Sequence, residues 1–451
     1  AYYATPQKYR NITLVIGSLV FYAIGSGWYT LLLLLSLLIN YGLSRMISGT
    51  HARHPESAKH YLIAGLIYNF GLLVVFKYTN FLIGNLNSLL SIFHTAIPKV
   101  SLVMPLGISF FTFQITSYLI DVYTGKTRPA RSILDLGVYL CMFPQLISGP
   151  ICMYSEIQPQ LKNRRVDVRL LEEGMETFVL GLSAKTLLAN PMGGLWNNLS
   201  VIGYDSISTP YAWLGAFAYS FQIYFDFSGY SMMAIGVGKM LGFQLPQNFN
   251  LPYMSGTAGE FWRRWHITLG RWFKNYIYFP LGGSRVAAKR RLYFNIFIVW
   301  LLTGIWHGAK WTYIVWGMMY FVLLCVERIL NLSGQKSWLG WIYTVFFFIA
   351  GNVVFRSENV TGALKYLLAM FNIHTTGLLD EKAVYYFAEY KMFLLIGMAA
   401  ALPIAVWLRA QSGRRGAWIE RLRPVWCVAV FLVALSFIVK GGYNPFIYFD
   451  F

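Results

Sequence analysis

Long apolar stretches separated by short basic loops constrain this chain more than any other feature. Only 12% of its residues are charged and 57% are hydrophobic, whereas soluble domains have about 25% charged residues. A spanning helix needs roughly 20 residues, and stretches that reach or approach this length lie at 12–44, 62–84, 100–123, 132–152, 174–190, 211–241, 292–306, 311–330, 338–355, 390–408 and 424–440. We predict an all-α polytopic membrane protein, with one domain over residues 1–451.

The net charge of +19 comes from Lys and Arg residues that cluster between the apolar stretches. The clusters lie at 45–60, 126–131, 162–169, 263–291 and 409–423. Short basic loops are typical of the cytoplasmic side of a membrane protein, so we predict that these loops face the cytoplasm. This placement argues against nucleic-acid binding as the reason for the charge.

The stretch 132–152 breaks the alternation of sides, because basic loops flank it at both ends. Its centre reads FPQLISGPI, in which Pro144, Gly149 and Pro150 interrupt a helix. Irregular backbone is tolerated at membrane depth only inside protein or beside a cavity. We predict a re-entrant element that enters and leaves on one side, with one kinked span as the alternative.

The segment EFWRRWHITLGRWFKNY, residues 260–276, has the pattern of an interfacial helix. At 100° per residue, one arc is apolar and aromatic and the opposite face is basic. The apolar arc holds Phe261, Trp262, Trp265, Leu269, Trp272, Phe273 and Tyr276, and the basic face holds Arg263, Arg264, Arg271 and Lys274. His266 falls at the border between the two faces. It is either a histidine at headgroup level or, with the basic face, part of a site for an anionic cytoplasmic ligand; binding to anionic lipid is the structural alternative for the basic face.

Two ionisable residues in or beside the apolar stretches stand out, because charge at membrane depth is costly and usually functional. His307 follows the stretch 292–306 in TGIWHGAKW, before the small residues Gly308 and Ala309. An imidazole there is suited to general acid and base work, and hydrogen bonding between helices is the structural alternative. Asp226, in QIYFDFSGYS, requires an Arg, Lys or histidine partner. The Asp226 carboxylate is suited either to orienting a histidine or to a purely structural ion pair.

The sequence does not indicate metal chemistry or a familiar hydrolase. The four cysteines lie in or beside apolar stretches without metal-ligand spacing, and we interpret them as small buried hydrophobic residues. They are Cys141, Cys152, Cys325 and Cys427. No GxSxG, Walker, HExxH or paired-carboxylate pattern stands out. From these residues alone, an enzyme and a transporter both stay open.

A series of sequence blocks resembles the membrane-bound O-acyltransferase family, in its alginate O-acetyltransferase type. The blocks are PLGISFFTFQITSYLIDVYTGK (105–126), FPQLISGPI (143–151), QIYFDFSGYS (222–231), NFNLPY (248–253), FWRRWHITLGRWFKNYIYFPLGGSR (261–285), GIWHGAKWTYIVWG (304–317) and NPFIYFDF (444–451). They cover most of the chain from residue 105 onward. The resemblance also leads us to expect a further membrane segment before Ala1.

The resemblance implies an acetyltransferase in the bacterial cytoplasmic (inner) membrane. The implied donor is cytoplasmic acetyl-CoA, and the implied acceptors are hydroxyls of an extracytoplasmic polysaccharide such as an alginate-like exopolysaccharide, cellulose or peptidoglycan. Helices would surround a central tunnel in which donor and acceptor meet. An extracytoplasmic acyltransferase partner protein and membrane lipids are the implied partners, and no metal is implied.

The same resemblance implies roles for single residues. His307 would be the general base with Trp306 as a packing wall, His266 would position the donor, and Asp226 would support the site. The alternative to an enzyme is a transporter or lipid-handling channel in which His307 relays protons. A structural anchor for a polysaccharide complex is a third possibility.

Two further assignments concern the donor and the C-terminus. Arg264 and Arg271 would bind the phosphates of the donor. Phe446, Tyr448 and Phe451 match a C-terminal Phe-x-Tyr-x-x-Phe pattern associated with the family, which implies that Tyr448 is a covalent acyl carrier. An aromatic interfacial anchor is the structural alternative for this segment.

Overall fold

The computed structural model describes residues 1–202, 207–332, 334, 337–404, 413–441 and 446, and these residues form helices and connecting loops without β-strands. The α-helices are α1 (Arg10–Ser26), α2 (Tyr29–Thr50), α3 (Pro55–Leu90), α4 (Ile108–Tyr123), α5 (Ile133–Cys141), α6 (Phe143–Leu146), α7 (Tyr154–Ile157), α8 (Gln160–Asn163), α9 (Val168–Ser183), α10 (Asn190–Ile202), α11 (Thr209–Met240), α12 (Ala258–Arg264), α13 (Ile267–Phe273), α14 (Lys289–His307), α15 (Trp311–Ile329), α16 (Trp338–Arg356), α17 (Val360–Ala369), α18 (Glu381–Ala401) and α19 (Gly413–Gly441). π-Helical turns follow α9 and α13, at Ala184–Ala189 and Lys274–Tyr278.

Five helical segments in the described part of the chain are long and apolar enough to cross a membrane. They are Tyr29–Thr50, Pro55–Phe93, Trp311–Ile329, Trp338–Arg356 and Leu422–Gly441. The prediction of an all-α, multi-pass membrane protein is confirmed.

The first apolar stretch, 12–44, contains two helices rather than one. Gly27 has a φ of 53° and its N–H bonds to the carbonyl oxygen of Ala23 at 2.9 Å, which ends α1. Glycine enters this left-handed region without the steric cost that a Cβ imposes. Hydropathy is high on both sides of the break, so the apolar pattern could not reveal it.

The stretch 132–152 forms a short helix followed by irregular backbone. α5 has nine residues, about 14 Å at 1.5 Å per residue, so it is far too short to span the roughly 30 Å hydrocarbon core as one kinked helix. The irregular part is buried, and protein groups satisfy its backbone: the Tyr139 hydroxyl donates to the carbonyl oxygen of Cys152 at 2.9 Å. This arrangement supports a re-entrant element, while the side of entry stays a prediction.

The four cysteines differ in burial. Cys141 and Cys152 are buried, as predicted, whereas Cys325 and Cys427 are only half-buried, and none of the four forms a disulfide. The last two lie on long apolar helices, where an apolar neighbourhood in the sequence does not distinguish a protein-facing side from a lipid-facing side. In the described residues, no group of three His, Cys, Asp or Glu side chains is placed to hold a metal ion.

The chain divides into two compact units. Unit 1 comprises Ala1–Gly174 and Ala234–Pro246, and unit 2 comprises Met175–Met233 and Gln247–Phe451. The expectation of one domain over the whole chain stays a prediction. In unit 1, α1 to α5 pack around an apolar core. Asn40 on α2 and Asn69 on α3 are buried and exchange amide hydrogen bonds of 3.1 and 2.7 Å, a polar contact of the kind that joins membrane helices.

In unit 2, close packing of α14 against α15 sets the position of His307. A Cβ added at Gly304 would lie 2.5 Å from the carbonyl oxygen of Tyr313, and one at Gly317 would lie 2.5 Å from that of Trp300. Small residues therefore let the two backbones approach closely. Because His307 is the last residue of α14, this contact fixes where its imidazole lies.

Gly304→Ala is expected to destabilise the protein by about 1–3 kcal/mol, because the added methyl group must push two backbones apart. Thermal unfolding in detergent measures the effect. Gly17→Ala on α1 is the matched control, since no atom lies within 4 Å of the added Cβ, and alanine is favoured over glycine in a helix by roughly 0.5–1 kcal/mol. Equal melting temperatures for the two variants would contradict the proposed packing constraint.

Candidate active site

The segment 260–276 is not one helix. α12 ends at Arg264, His266 has the left-handed angles φ 43° and ψ 52°, and α13 begins at Ile267. The prediction of a continuous helix is therefore wrong. The apolar arc faces the protein interior, since all of its side chains are buried except Trp262, which is half-buried.

Asn248, in the NFNLPY block, stabilises the break. The first amides of a helix have no partner within the helix and must find one elsewhere. The N–H of Ile267 donates to the backbone oxygen of Asn248 at 2.9 Å. The N–H and hydroxyl of Thr268 donate to Asn248 Oδ1 at 3.2 and 2.9 Å. Asn248 therefore caps α13 from a separate loop, and the sequence interpretation did not single out this residue.

His266 lies inside the protein rather than at a helix border, so the predicted border position is wrong. Its side chain is 2% exposed, and its Nδ1 is 3.1 Å from Asn248 Oδ1. The Phe227 ring meets the imidazole edge-on at 4.6 Å, and the Trp306 indole lies at 6.0 Å. Burial lowers the pKa of His266 to about 3, so the imidazole is neutral at physiological pH.

His307 is enclosed by aromatic rings. Its side chain is 5% exposed, and the rings of Trp306, Trp316 and Phe355 lie 4.9 to 5.0 Å from the imidazole centroid. A Cβ at the next residue, Gly308, would lie 2.3 Å from the Tyr313 ring. Trp306 contacts both histidines, so the structure brings His266, Trp306 and His307 into one cluster.

Asp226 forms an ion pair with a lysine. Its Oδ1 lies 2.5 Å from Nζ of Lys185, and the two side chains are 3% and 13% exposed. Lys185 belongs to the π-helical turn after α9. Gly181 and Gly229 allow α9 and α11 to approach closely, because a Cβ on either would lie within 2.6 Å of the other's carbonyl oxygen. Lys185 was not singled out from the sequence, although a lysine inside the apolar stretch 174–190 was a usable signal.

The two arginines assigned to the donor are half-buried. Arg264 forms an ion pair of 2.9 Å with Glu260 and donates to the backbone oxygen of Asn250 at 3.2 Å. Arg264 therefore braces α12 against the NFNLPY loop. Arg271 lies in the last turn of α13.

Tyr448 and Phe451 lie outside the described residues, but Phe446 of the same block is described. Its side chain is 5% exposed. The Phe446 ring stacks on Tyr230 at 4.8 Å and lies 5.8 Å from Phe227. Since Phe227 also contacts His266, Phe446 reaches the surroundings of this histidine.

The family model for membrane-bound O-acyltransferases matches residues 130–364, which include Asp226, His266 and His307. This chain belongs to the membrane-bound O-acyltransferase family. It is therefore a membrane-bound acyltransferase, and the resemblance inferred from its sequence blocks is confirmed.

Similar acyltransferases align over most of the chain. The probable alginate O-acetylase AlgI of Pseudomonas aeruginosa is 38% identical over 83% of this chain and 72% of its own length. That of Pseudomonas putida is 33% identical over 100% of this chain and 96% of its own length. The peptidoglycan O-acetyltransferase of Helicobacter pylori is 37% identical, with 83% of this chain and 76% of that protein covered.

The cluster in this membrane-bound O-acyltransferase contains imidazole groups, which are suited to acyl transfer to a hydroxyl. A hydroxyl becomes a better nucleophile when a base removes its proton, and an imidazole can return that proton to the leaving group. Two histidines share one indole neighbour in a site lined by aromatic rings, where a hydrogen bond is stronger than in water. The carboxylate of Asp226 is engaged by Lys185.

Asp226→Asn in this acyltransferase is expected to lower the free energy of unfolding by about 3–5 kcal/mol, because it leaves the mostly buried Lys185 cation, 13% exposed, without its carboxylate. The double variant Lys185→Met with Asp226→Leu should unfold closer to the wild-type temperature, since it removes both charges. Glu173→Gln is the surface control: its pair with Lys239 is more exposed, at 41% and 28%, and so is its pair with Arg169, and exposed ion pairs contribute little to stability. If the Asp226→Asn protein were as stable as the wild type but had lost acyl transfer, Asp226 would instead take part in the reaction.

Proposed function

We propose that this acyltransferase moves acetyl groups from cytoplasmic acetyl-CoA to hydroxyls of a polysaccharide outside the bacterial inner membrane. Family membership supports acyl transfer. The acetyl group and the polysaccharide are supported by the relatives named as alginate O-acetylase and peptidoglycan O-acetyltransferase. An alginate-like exopolysaccharide, cellulose or peptidoglycan is the proposed acceptor, and an extracytoplasmic acyltransferase is a proposed partner.

The enclosure of His307 at the end of α14 is the observation that carries this proposal. In the proposed reaction, the imidazole takes the proton of the acceptor hydroxyl while the hydroxyl oxygen attacks the thioester carbonyl carbon. The carbon–sulfur bond then breaks, and the imidazolium returns the proton to the leaving thiolate. Trp306 and the neighbouring rings exclude water that would compete with the acceptor.

The donor is proposed to enter from the cytoplasmic side along the segment 260–276. Arg264 and Arg271 would contact its phosphates, since guanidinium groups bind phosphate oxygens in a fixed geometry. His266 would position the thioester arm. Because His266 is buried and neutral, it would do so as a hydrogen-bonding group and not as a cation.

A covalent relay through Tyr448 is the second part of the proposal, in which the Tyr448 phenol is the hydroxyl that attacks the thioester. The phenol oxygen would attack the thioester carbonyl carbon after losing its proton to a base, the carbon–sulfur bond would break, and the thiolate would take that proton. The acceptor hydroxyl would then attack the aryl ester, the bond between the acetyl carbon and the phenol oxygen would break, and the proton of the hydroxyl would return to the phenol. Phe446, two residues earlier in the chain, packs on Phe227 beside His266. This contact supports a role for the C-terminal block at the site.

His307→Gln is expected to lower acetyl transfer by about 100-fold or more, the scale of general acid–base catalysis. Glutamine retains a polar side chain of similar volume without a titrating imidazole. Thiol release from acetyl-CoA by the purified protein in lipid nanodiscs is the measurement. His60→Gln, at an exposed histidine on α3, is the control and should match the wild type. A folded His307→Gln protein with most of its turnover would remove His307 from the reaction.

Tyr448→Phe is expected to abolish acetylation of the polysaccharide, because phenylalanine keeps the aromatic ring but has no hydroxyl to carry the acetyl group. Mass spectrometry of the polymer, and of a C-terminal peptide heavier by one acetyl group in the trapped wild-type protein, is the measurement. Tyr385→Phe, at a side chain that is 64% exposed, is the matched control. Wild-type polymer acetylation by Tyr448→Phe would leave the C-terminal block as an anchor and make transfer direct.

A further inference from the structure

Asn248 is engaged by more partners than the capping of a helix requires. Its Oδ1 accepts from Thr268 N, Thr268 Oγ1 and His266 Nδ1 at 3.2, 2.9 and 3.1 Å. Its Nδ2 lies 3.1 Å from the hydroxyl oxygen of Ser231 on α11 and donates to it. Every member of this network is buried, with exposures of 0–2%. Its geometry is therefore set by the protein and not by solvent.

The backbone of Thr268 fixes which way the Asn248 amide points. A backbone N–H can only donate, so the atom of Asn248 that faces it must be the oxygen. The same oxygen faces His266 Nδ1, and an oxygen acceptor there requires a proton on Nδ1. A neutral imidazole carries one N–H and one bare nitrogen, and the burial of His266 favours the neutral form. The bare nitrogen is then Nε2.

We propose that Asn248 is a positioning residue that holds His266 in the tautomer protonated on Nδ1, so that Nε2 accepts a hydrogen bond from an O–H or N–H group of a bound substrate. The tautomer follows from the hydrogen-bond network, whereas its use on a substrate rests on the proposed acetyl transfer. Ser231 supports the arrangement by holding the Asn248 amide group, which prevents the amide from turning its NH₂ towards His266.

In the described part of the chain, the imidazole of His266 contacts aromatic rings from two helices. Its ring contacts are Phe227 on α11 and Trp306 on α14, and neither side chain titrates. His307 contacts the same indole from the end of α14. A carboxylate placed at residue 248 would therefore be a new influence on the protonation of His266.

Nitrogen-15 NMR of the wild-type protein in lipid tests the tautomer without any activity. The chain has seven histidines, so the His266 signals are identified by their loss in His266→Gln. At pH 7 we expect a protonated Nδ1 and a bare Nε2. A proton on Nε2, or on both nitrogens, would overturn the proposal. This result stands even when the wild-type protein shows no acetyl transfer, an outcome that would count against the proposed function alone.

Asn248→Asp tests the use of the tautomer while retaining an oxygen for Thr268 and His266. The carboxylate favours the imidazolium and raises the pKa of His266, so the neutral form is lost as pH falls through the raised value. Activity should accordingly stay near wild type at pH 8, and kcat/KM should start to fall at a higher pH in Asn248→Asp than in the wild type, with a tenfold loss about one pH unit below the raised pKa. A pH profile identical to that of the wild type would show that His266 does not need a bare Nε2.

Asn248→Ala removes the acceptor, and we expect kcat/KM to fall by about 10- to 100-fold, the range seen for partners that orient histidine ligands. Asn250→Ala is the matched control in the same loop, because the Asn250 side chain is exposed and only the backbone atoms of Asn250 bond to Arg264. Equal activity of the two variants would reduce Asn248 to a helix cap. If Asn248→Ala does not fold, the pH profile of Asn248→Asp and the NMR spectrum of the wild-type protein still test the proposal.

Discussion

The buried ends of short helices depend on side chains from distant parts of the sequence. In lipid or in a dry protein interior, no water satisfies the first amides of a helix, so protein groups must do so. For α12, the carboxylate of Glu327 on α15 accepts from the amides of Ala258 and Gly259. For α13, Asn248 has this role. These two caps hold the turn between α12 and α13, and the turn holds His266.

Aromatic packing gives the same region its rigidity. Trp262 meets the rings of Trp300, Trp316 and Tyr320 at centroid distances of 4.8 to 5.4 Å, and Trp316 in turn contacts His307. Large flat rings lose few torsional degrees of freedom on burial and pack at defined angles. A histidine among them has little room to change its orientation, which is what a site that transfers protons at a fixed geometry requires.

Sequence patterns predicted the long elements well and the breaks poorly. The stretches 311–330 and 338–355 agree with α15 and α16 to within one residue at each end, because a long apolar run between polar residues leaves few alternatives to a helix. The family blocks identified His266 and His307 by position. The left-handed residue at His266 could not be predicted, since its partner Asn248 lies in a separate loop. The partner of Asp226 had the correct chemical class in the prediction, but only the packing of α9 against α11 selects Lys185.

The cations of the segment 260–276 and its histidine lie in different environments. Arg263 and Lys274 are exposed, Arg264 and Arg271 are half-buried, and His266 is buried between them in the sequence. Cations in contact with water attract phosphates but are screened by salt over about 8 Å at physiological ionic strength. A neutral buried imidazole neither attracts phosphates by its charge nor is affected by screening. In the proposed reaction, the charged end of acetyl-CoA would therefore be held at the protein surface, and its thioester would meet only neutral hydrogen-bonding groups. Salt would then weaken donor binding without altering the protonation of His266. Activity measured at different ionic strengths would therefore separate the two proposed functions of the segment, donor binding by its cations and donor positioning by His266.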